Sequence, residues 1–308
     1  MNQSADFLTI AICTFRREKL LETCLRALVP QRSQEYDFTI LVIDNGGSES
    51  CRQLCVSYAA KYIFENRTGL AHARNRAVSV ATSEWLFFLD DDGVAADNLV
   101  QNFYRIVQRT KIEAIGGQFH HHFGKAPPAW LRTYYQGVEE PVPSKQIVKL
   151  TGKNYLFGGI FAVKTHRIKQ AGGFAPHLGM VGAKFGYGEE DELQQRLQSL
   201  GVELYYDPGL TMSHLVSPRK YTIKSQLQIA YAHGFALEAL GGNGEAIKLS
   251  YSLWILTRSF ILSLPANLMR VVFYQDFYWQ NILINVLSPL SKLYGRWVYR
   301  VIKLTTKI

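Results

Sequence analysis

The sequence feature that most constrains the fold is a regular alternation of short apolar strands with amphipathic helices along roughly the first ninety residues. Strands are predicted at 7–13, 38–43, 62–64 and 85–89, and apolar residues at helical spacing fill the intervals. Strands that are separated by helices pair in parallel, and the helices cover both faces of the sheet. Ligands of such sheets bind beyond the carboxyl ends of the strands, so the polar residues that follow each strand are the first candidates for a site.

Polar side chains follow all of these strands. One such cluster is usually a cap or a turn, but several that bracket one crevice are better explained by a ligand with a hydrogen-bonding ring and phosphates. The chain has no GxGxxG after the first strand and no GxxxxGK[ST] anywhere, which argues against a dinucleotide oxidoreductase and a P-loop protein. The residues concerned, in strand order, are Thr14, Arg16 and Arg17, then Asp44 and Asn45, then Asn66 and Arg67, then Asp90, Asp91 and Asp92.

An acidic triplet ends the fourth strand. Residues 85–89, WLFFL, show no polar alternation and so predict a strand that is buried on both faces. The adjacent charges of Asp90, Asp91 and Asp92 repel one another, and a hard cation is one way to neutralise them. In an extended chain Asp90 and Asp92 share a face while Asp91 points away, which suits one Mg²⁺ or Mn²⁺ held together with a diphosphate. The triplet alone is equally consistent with carboxylates that cap the next helix.

A second group of acids opens a later helix. Glu189, Glu190, Asp191 and Glu192 precede leucines at helical spacing, so they occupy the first turn of that helix. The helix dipole favours negative charge there, and capping is the simple interpretation. Four acids exceed what capping requires, and a carboxylate beside a phosphate crevice is suited to deprotonate a hydroxyl nucleophile.

Three further features accompany these acids. Paired glycines at 158–159, within a predicted strand at 154–163, mark either the close approach of a ligand or a plain β-bulge. Adjacent histidines at 120–122 do not converge on one ion from a strand or loop, and we interpret them as an exposed polar stretch. His214 is a candidate third metal ligand, and Arg219 or Lys220 is a candidate phosphate contact.

Composition narrows the class of partner. A net charge of +9 indicates an anionic partner, without choosing between nucleic acid, anionic lipid and a phosphorylated substrate. The 4 cysteines lack paired CxxC spacing, which argues against a zinc site or a disulfide framework and fits a reducing cytoplasm. The N-terminal stretch lacks the basic and apolar regions of a signal peptide, so we expect a chain that is not exported.

The composition changes near residue 250, where apolar, aromatic and basic residues crowd together and Asp276 is the only acid. Arg258, Arg270 and Lys292 are expected to interrupt every apolar run before the roughly 18 residues needed to span a bilayer. Such helices favour an anionic membrane surface, and basic residues at 292, 296, 300, 303 and 307 give the last helix one basic face. A helical subdomain and a homodimer interface are the alternatives. We therefore predict an α/β domain at 1–240 and a helical, apolar and basic segment at 241–308.

Several stretches together resemble family 2 glycosyltransferases of the GT-A fold, nucleotide-diphospho-sugar enzymes common in bacterial polysaccharide assembly. Each stretch is a weak pattern, but their occurrence in the right order is a strong one. The resemblance implies an α/β GT-A fold with a mostly parallel central sheet and a C-terminal helical appendage. Between about residues 7 and 240 the stretches are ICTFRRE, VIDNGG, ENRTGLAHARNRAV, FLDDDG, YGEEDELQQRL and SHLVSPRKYT.

The resemblance also assigns roles. Thr14, Arg17 and Asp44 are expected beside the base and ribose, although the use of Arg16 instead of Arg17 stays open. The family's catalytic base matches Glu190, one methylene longer than the usual Asp, so Glu189 and Asp191 stay open as competitors. The residues assigned to the nucleotide-diphospho-sugar are Thr14, Arg17, Asp44, Asn66, Arg74, Asp90, Asp91 and Arg219, and those assigned to the metal are Asp92 and His214.

These features predict a metal-dependent inverting glycosyltransferase that uses Mn²⁺ or Mg²⁺ and moves a sugar to a hydroxyl acceptor. A lipid-linked or polysaccharide intermediate is the expected acceptor, and the inner face of the cell membrane is the expected location. A nucleotidyltransferase stays an alternative, although TFRRE lacks the glycine-rich loop such an enzyme would use. A non-catalytic membrane or nucleic-acid-binding module is the other. The basic residues of a nucleic-acid-binding module should form a continuous stripe with stacking aromatics. Acidic residues instead gather where the crevice is expected, so we expect no nucleic-acid partner.

Overall fold

The structure, a computed structural model, describes residues 7–182, 184–241 and 249–306. Lys307 of the predicted basic face lies outside these residues, as do parts of the predicted segment 241–308. The chain forms two compact units, the first from Met1–His122, Gly137–Gly182 and Glu189–Leu215, the second from Phe123–Gln136, Ala183–Gly188 and Val216–Ile308. A division of the sequence into domains at residue 240 stays a prediction.

The first unit contains a mixed β-sheet. Its strands are β1 (Leu8–Thr14), β2 (Thr39–Asp44), β3 (Lys61–Phe64), β4 (Trp85–Leu89), β5 (Gly93–Ala95), β6 (Ala114–His122), β7 (Val138–Glu139), β8 (Val148–Lys149), β9 (Ile160–Lys164) and β10 (Leu204–Leu215). The order is β3-β2-β1-β4-β9-β6-β10-β5, with β7 beside β6 and β8 beside β10. Strands β1 to β4 run parallel, as predicted, because a helix separates each from the next. Beyond β4 the sheet is mixed, since β9 is antiparallel to both β4 and β6.

Helices follow most of the strands and also make up most of the second unit. They are α1 (Glu18–Leu28), α2 (Glu49–Ser57), α3 (Leu70–Val80), α4 (Leu99–Val107), α5 (Ala129–Arg132), α6 (Thr165–Gln170), α7 (Glu189–Ser199), α8 (Ile223–Ala239), α9 (Leu249–Thr257), α10 (Leu264–Phe273) and α11 (Trp279–Thr306). Two 3₁₀ turns (Val29–Gln31 and Pro218–Lys220) and a π-helical stretch (Arg258–Ser263) complete the described chain.

The central strand β4 is buried on both faces, as its sequence predicts. Trp85, Phe87 and Leu89 pack into a core that contains residues of α1, α2 and α4. Leu86 and Phe88 pack into a second core, on the side of α3 and α7. Side chains of a strand alternate between its faces, so helix layers on both sides leave no solvated face for a polar residue until the strand ends.

Strand β10 differs most from expectation. Asp207-Pro208-Gly209 is a turn signal that would end a strand at Tyr206, but β10 continues to Leu215 through a register shift between Tyr206 and Thr211. The sequence Asp207-Pro208-Gly209 therefore forms a bulge instead of a strand end. A Cβ on Gly117 of β6 would lie 1.8 Å from the Leu210 carbonyl oxygen, so only glycine allows the bulge to pack this closely. The continuation carries His214 into the sheet.

In the second unit, α8 and α11 cross at backbone contact. A Cβ on Gly234 would lie 1.9 Å from the Lys292 carbonyl oxygen, and one on Gly295 would lie 2.1 Å from that of Tyr231. Helix α5 packs on the same helices through Trp130, whose carbonyl accepts a hydrogen bond from Asn281 Nδ2 at 2.8 Å. Glycine on both helices thus fixes where they touch.

The stretch Ser250–Phe273 is long and apolar enough, by length and composition alone, to cross a membrane, with a mean hydropathy of 1.3. The charged residues of the sequence predict apolar runs that are too short to span a bilayer. That prediction is wrong here, because the stretch reaches this hydropathy with its only charged residues, Arg258 and Arg270, included. Many of its large apolar side chains are exposed, including Leu253, Trp254, Phe260, Ile261, Leu262, Leu268, Met269, Val272 and Phe273.

Candidate active site

The aspartates that follow β4 lie in a turn and not in an extended strand. The carbonyl of Asp90 accepts a hydrogen bond from the Gly93 N–H at 3.0 Å, where β5 begins. The side chains still separate as predicted, because Asp90 and Asp92 converge on His214 while Asp91 is buried against Thr14. The predicted orientation is therefore confirmed, although a tight turn produces it and not strand alternation.

Asp90, Asp92 and His214 form a set of metal-ligating groups. Each offers one ligand atom, and these atoms lie within 4.8 Å of one another. His214 Nε2 is 3.0 Å from Asp92 Oδ1 and 3.8 Å from Asp90 Oδ2. Carboxylate oxygens suit Mg²⁺ and Mn²⁺, and three protein groups leave coordination positions for diphosphate oxygens. The chemistry and spacing of the set fit a divalent cation.

Asp91 anchors the turn to the start of the chain. Its carboxylate accepts hydrogen bonds from Thr14 Oγ1 at 2.7 Å and from Arg17 Nη1 at 2.9 Å, and Arg17 also reaches Asp92 at 3.0 Å. Burial raises the pKa of Asp91 to about 7, although Arg17 and Thr14 oppose the shift. Arg16 instead has a positive φ of 54° and stacks on the Phe15 ring. Arg17, and not Arg16, is thus the arginine that meets the acids.

Asp44, at the end of β2, is buried and accepts four hydrogen bonds from protein groups. It accepts from the N–H groups of Gly46, Gly47 and Ser48 at 2.8–3.0 Å and from the Tyr62 hydroxyl at 3.0 Å. This carboxylate therefore fixes the loop after β2. It shapes the predicted nucleotide end of the site whether or not it contacts a ligand.

The next loop is tied to the same strand end. Asn45 donates to the carbonyls of Glu65 and Arg67, both at 2.8 Å, and accepts from the Gly69 N–H at 2.7 Å. Asn66, which lies between these anchors, is exposed. The structure thus brings the loops after β2 and β3 together, as expected of neighbouring parallel strands.

Arg74 joins the two acidic groups of the sequence. This arginine of α3 is 3% exposed and donates to Glu189 Oε1 at 2.7 Å and to the Gly158 carbonyl at 2.8 Å. Its guanidinium also lies 3.5 Å from Asp90 and 3.9 Å from Glu190. Burial alone would lower the pKa of Arg74, but the surrounding carboxylates, Glu189 foremost, raise it overall. The Asp90–Asp92 turn and the first turn of α7 therefore belong to one site.

The four acids of α7 have different surroundings. Glu189 is 3% exposed, and burial followed by the charge of Glu190 raises its pKa well above the usual value. Glu192 pairs with Arg196 one turn along the helix. Burial raises the pKa of Asp191 to about 8, with a further contribution from Glu190. Glu190 is 20% exposed at its side chain, and its Oε2 has no hydrogen-bond partner among the described residues.

Gly158 and Gly159 precede β9, which begins only at Ile160. A Cβ on Gly159 would lie 2.5 Å from Asp90 Oδ2, and one on Gly158 would lie 3.0 Å from the Glu190 carboxyl group. The two glycines thus form the surface against which one carboxylate of each acidic group rests. The groups nearest to both glycines are side chains of the protein, and the close approach of a ligand stays a prediction.

Sequence reasoning missed the histidines beside His214. Strand β6 runs through residues 120–122, and the predicted exposed stretch is wrong for His121, which is 8% exposed at its side chain and 3.2 Å from Glu139. Burial lowers the pKa of His122, and the charge of His214 lowers it further. A period of two that runs from Ile115 through Phe119 to His121 is the signal that would have found His121.

Arg219 belongs to the second unit. It lies in the 3₁₀ turn Pro218–Lys220, and its guanidinium carbon is 4.8 Å from the centre of the Phe185 ring. Its assignment to the donor stays a prediction.

The fold defines the class: it is similar to the GT-A fold of solved glycosyltransferase structures. The mannosyltransferase PcManGT from Pyrobaculum calidifontis, solved in complex with GDP-Man and Mn²⁺, matches with a TM-score of 0.63 at 14% identity over 96% of this chain and 88% of that one. Staphylococcus aureus TarS 1-349, solved in complex with UDP, matches with a TM-score of 0.55 at 13% identity, over 96% of this chain and 91% of that one.

The chain belongs to glycosyl transferase family 2, whose sequence model matches residues 9–164. The succinoglycan biosynthesis protein ExoM of Rhizobium meliloti (strain 1021) is 29% identical over 134 residues, which are 40% of this chain and 42% of that protein. Glycosyltransferase GlyG of Streptococcus pneumoniae serotype 4 is 21% identical over 124 residues, 38% of this chain and 40% of that one. The aligned stretch thus spans about two fifths of these relatives.

Proposed function

We propose that the chain is a metal-dependent inverting glycosyltransferase that moves a sugar from a nucleotide-diphospho-sugar to a hydroxyl acceptor. The observation that carries this proposal is the position of Arg74, which lies within 4 Å of carboxylates from both acidic groups. The aspartates after β4 have the composition of a cation site, and the acids in the first turn of α7 have that of a proton acceptor. A displacement at a sugar carbon needs both within reach of one substrate.

On the donor side, Asp90, Asp92 and His214 would hold Mn²⁺ or Mg²⁺. The bound cation would neutralise charge that develops on the departing diphosphate. PcManGT was solved with GDP-Man and Mn²⁺ and TarS with UDP, and these ligands support a nucleotide-diphospho-sugar as donor. The protein groups proposed to bind it are Thr14, Arg17, Asp44, Asn66, Arg74, Asp90, Asp91 and Arg219.

Glu190 is the best candidate for the base. Glu189 is held by Arg74 and Glu192 by Arg196, so neither carboxylate is available to a substrate without breaking an ion pair. Burial raises the pKa of Asp191 to about 8, so this group is mostly protonated at neutral pH and only a minority of molecules hold it ready to accept a proton. The Glu190 side chain is 20% exposed and its contact with Arg74 is a distant one of 3.9 Å, so a substrate hydroxyl can reach this carboxylate without breaking a close ion pair.

In the proposed reaction the Glu190 carboxylate takes the proton of the acceptor hydroxyl as that oxygen attacks the anomeric carbon. The bond from this carbon to the diphosphate oxygen breaks, and its electron pair leaves on the nucleoside diphosphate. Because attack comes from the face opposite the leaving group, a single displacement inverts the configuration at the sugar. No side chain has to form a covalent intermediate.

Exposed apolar side chains of the second unit support the proposal that the acceptor is membrane-associated. Its segment 250–273 exposes large apolar and aromatic side chains, with Arg258 and Arg270 as the only charges. Exposed apolar surface flanked by basic residues suits the surface of an anionic membrane. We therefore propose a lipid-linked or polysaccharide acceptor, met by a peripheral enzyme at the inner face of the cell membrane.

The test is a thermal-shift screen of nucleotide-sugars with and without Mn²⁺, followed by turnover of the hit. We expect one nucleotide class to raise Tm, and to raise it more when the cation is present. Glu190→Gln should keep that shift and lose transfer, whereas Glu192→Gln, a matched control in the same helical turn, should keep both. Stabilisation by no nucleotide-sugar would contradict the proposal, and normal turnover of Glu190→Gln would move the base to a neighbour.

A further inference from the structure

The second unit contains a cavity of about 510 Å³ between α8 and α11. Apolar side chains from both helices form its walls, namely Ile229, Ala230, Ile284 and Pro289. Polar groups lie between these walls, among them Asn285 and Lys292. This volume exceeds that of a few water molecules and falls in the range of small-molecule sites.

The backbone of the two helices keeps the cavity open. The backbones of α8 and α11 already touch at Gly234 and Gly295. The two helices therefore cannot move closer at these glycines to close the cavity. Pro289, inside α11, has no N–H to donate to the carbonyl one turn earlier and locally separates the helical turns. His233, another lining residue, is held by a parallel stack on Tyr187 with the ring centres 4.0 Å apart. The walls are therefore preformed.

Lys292 gives the cavity a positive charge that no described residue neutralises. Its ammonium group has no ion pair among the described residues, and no carboxylate lines the cavity in that part of the chain. The nearby acid of α8, Glu238, is taken by Arg296 at 2.9 Å and by Arg300. An unpaired cation above apolar walls favours an anionic group that carries an apolar tail.

The apolar walls connect to the exposed apolar surface of the same unit. Asn285, in the cavity wall, donates through Nδ2 to Asn267 Oδ1 of α10 at 2.8 Å. The next residues of α10, Leu268 and Met269, are 51% and 57% exposed. A tail that leaves the cavity along α10 would thus pass from apolar wall to apolar surface.

We propose that this cavity binds the phosphate end of a lipid phosphate, with the phosphate at Lys292 and the tail between Ile229 and Ile284. This proposal rests on the proposed lipid-linked acceptor and gives that acceptor a binding site on the second unit. The chemistry recognised is a single alkyl or isoprenoid chain on a phosphate. Free phosphate lacks the tail, and a neutral alcohol lacks the charge.

The test is calorimetric titration of the full chain with decyl phosphate, below its micelle concentration, in comparison with decanol and inorganic phosphate. We expect saturable binding of decyl phosphate and binding of the other two that is weaker by about tenfold or more, since a charge-assisted hydrogen bond contributes about 1.5–3 kcal/mol. Vesicles that contain phosphatidylglycerol form a further arm. If they compete with decyl phosphate as well as free decyl phosphate does, a membrane headgroup and not an acceptor is the occupant, which overturns the proposal.

Two variants and a control locate the site. Lys292→Met removes the charge and Ala230→Phe fills the cavity, and each should weaken decyl phosphate binding about tenfold. Lys224→Met, which removes an exposed charge elsewhere on α8, should bind like the wild type. Circular dichroism establishes that each variant is folded. Equal binding by all three variants would overturn the proposal, and so would equal affinity for decanol. Because no nucleotide-sugar is present, failure here is distinguishable from failure of the proposed transfer reaction.

Discussion

Replacing Arg74 with methionine should destabilise the protein strongly, because it leaves a buried carboxylate charge without its counter-ion. Arg74 and Glu189 are each 3% exposed, and their charged atoms are 2.7 Å apart. Removing one partner of such a pair costs about 3–5 kcal/mol. At roughly 2–4 °C per kcal/mol for a chain of this size, Tm should fall by about 6–20 °C.

The assay is thermal unfolding followed by circular dichroism, with Arg74→Met, Glu189→Gln and the double variant. The double variant removes both charges of the buried pair, so it should be more stable than Arg74→Met alone. As a control, Arg26→Met breaks an exposed pair with Glu22 and should leave Tm unchanged. A Tm of Arg74→Met near that of the wild type would refute the reasoning, and so would a double variant less stable than either single one.

The pH dependence gives an independent check. Burial and Glu190 raise the pKa of Glu189 in the folded protein, and loss of Arg74 removes the main opposing charge. An acid with a raised folded pKa favours the folded state below its unfolded pKa, and that contribution is lost as pH rises through the folded value. The stability deficit of Arg74→Met should therefore shrink as pH falls and Glu189 takes up a proton. A deficit that is independent of pH would mean that buried charge is not its cause.

Three further predictions follow from the same geometry. Gly159→Ala places a methyl group 2.5 Å from Asp90 Oδ2, so the Tm increase that a nucleotide gives in the presence of Mn²⁺ should become smaller. Gly158→Ala places its methyl group against Glu190 instead, so turnover should fall while that Tm increase changes little. Wild-type stability should fall between about pH 4 and 8 as Asp191, whose folded pKa is about 8, loses its proton, and unfolding of Asp191→Asn should show a shallower slope. In EDTA, the affinity for a nucleoside diphosphate, measured by calorimetry, should rise as pH falls from 8 to 6. The reason is that protonation of Asp91, whose pKa is about 7, removes its repulsion of the diphosphate. An affinity that falls instead contradicts the charge argument.

The strands and helices of the first ninety residues were predictable because local pattern and tertiary burial agree there. Strand β4 begins at Trp85 and ends at Leu89, as the sequence predicts, because a continuous apolar run that ends in acids fits a strand buried on both faces. Strand β10 was not predictable in the same way. Asp207-Pro208-Gly209 is a local turn signal, but the neighbouring strand holds it as a bulge, and Gly117 on β6 makes that possible.

The candidate site was only partly predictable, because composition identifies acids but not the groups that surround them. The metal-ligating set could be proposed from spacing and from the family resemblance. The role of Arg74 could not, since its partner Glu189 is 115 residues away and the contact depends on how α3 and α7 pack on the same face of the sheet. For the same reason the acids of α7 look alike in sequence, and only their different partners distinguish Glu190.

The balance of charge at this site explains why a cation belongs to the proposed donor complex. Carboxylates outnumber guanidinium groups, because Arg17 and Arg74 are shared among the acids of both groups. A diphosphate placed among these carboxylates would be repelled at short range, where low-dielectric surroundings strengthen the effect. Protonation of the buried acids relieves part of this repulsion, but Asp90 and Asp92 stay turned toward the ligand side with His214. A divalent cation at that position would convert the repulsion into a bridge between protein and diphosphate, which is a stronger reason to expect metal dependence than the presence of adjacent aspartates alone.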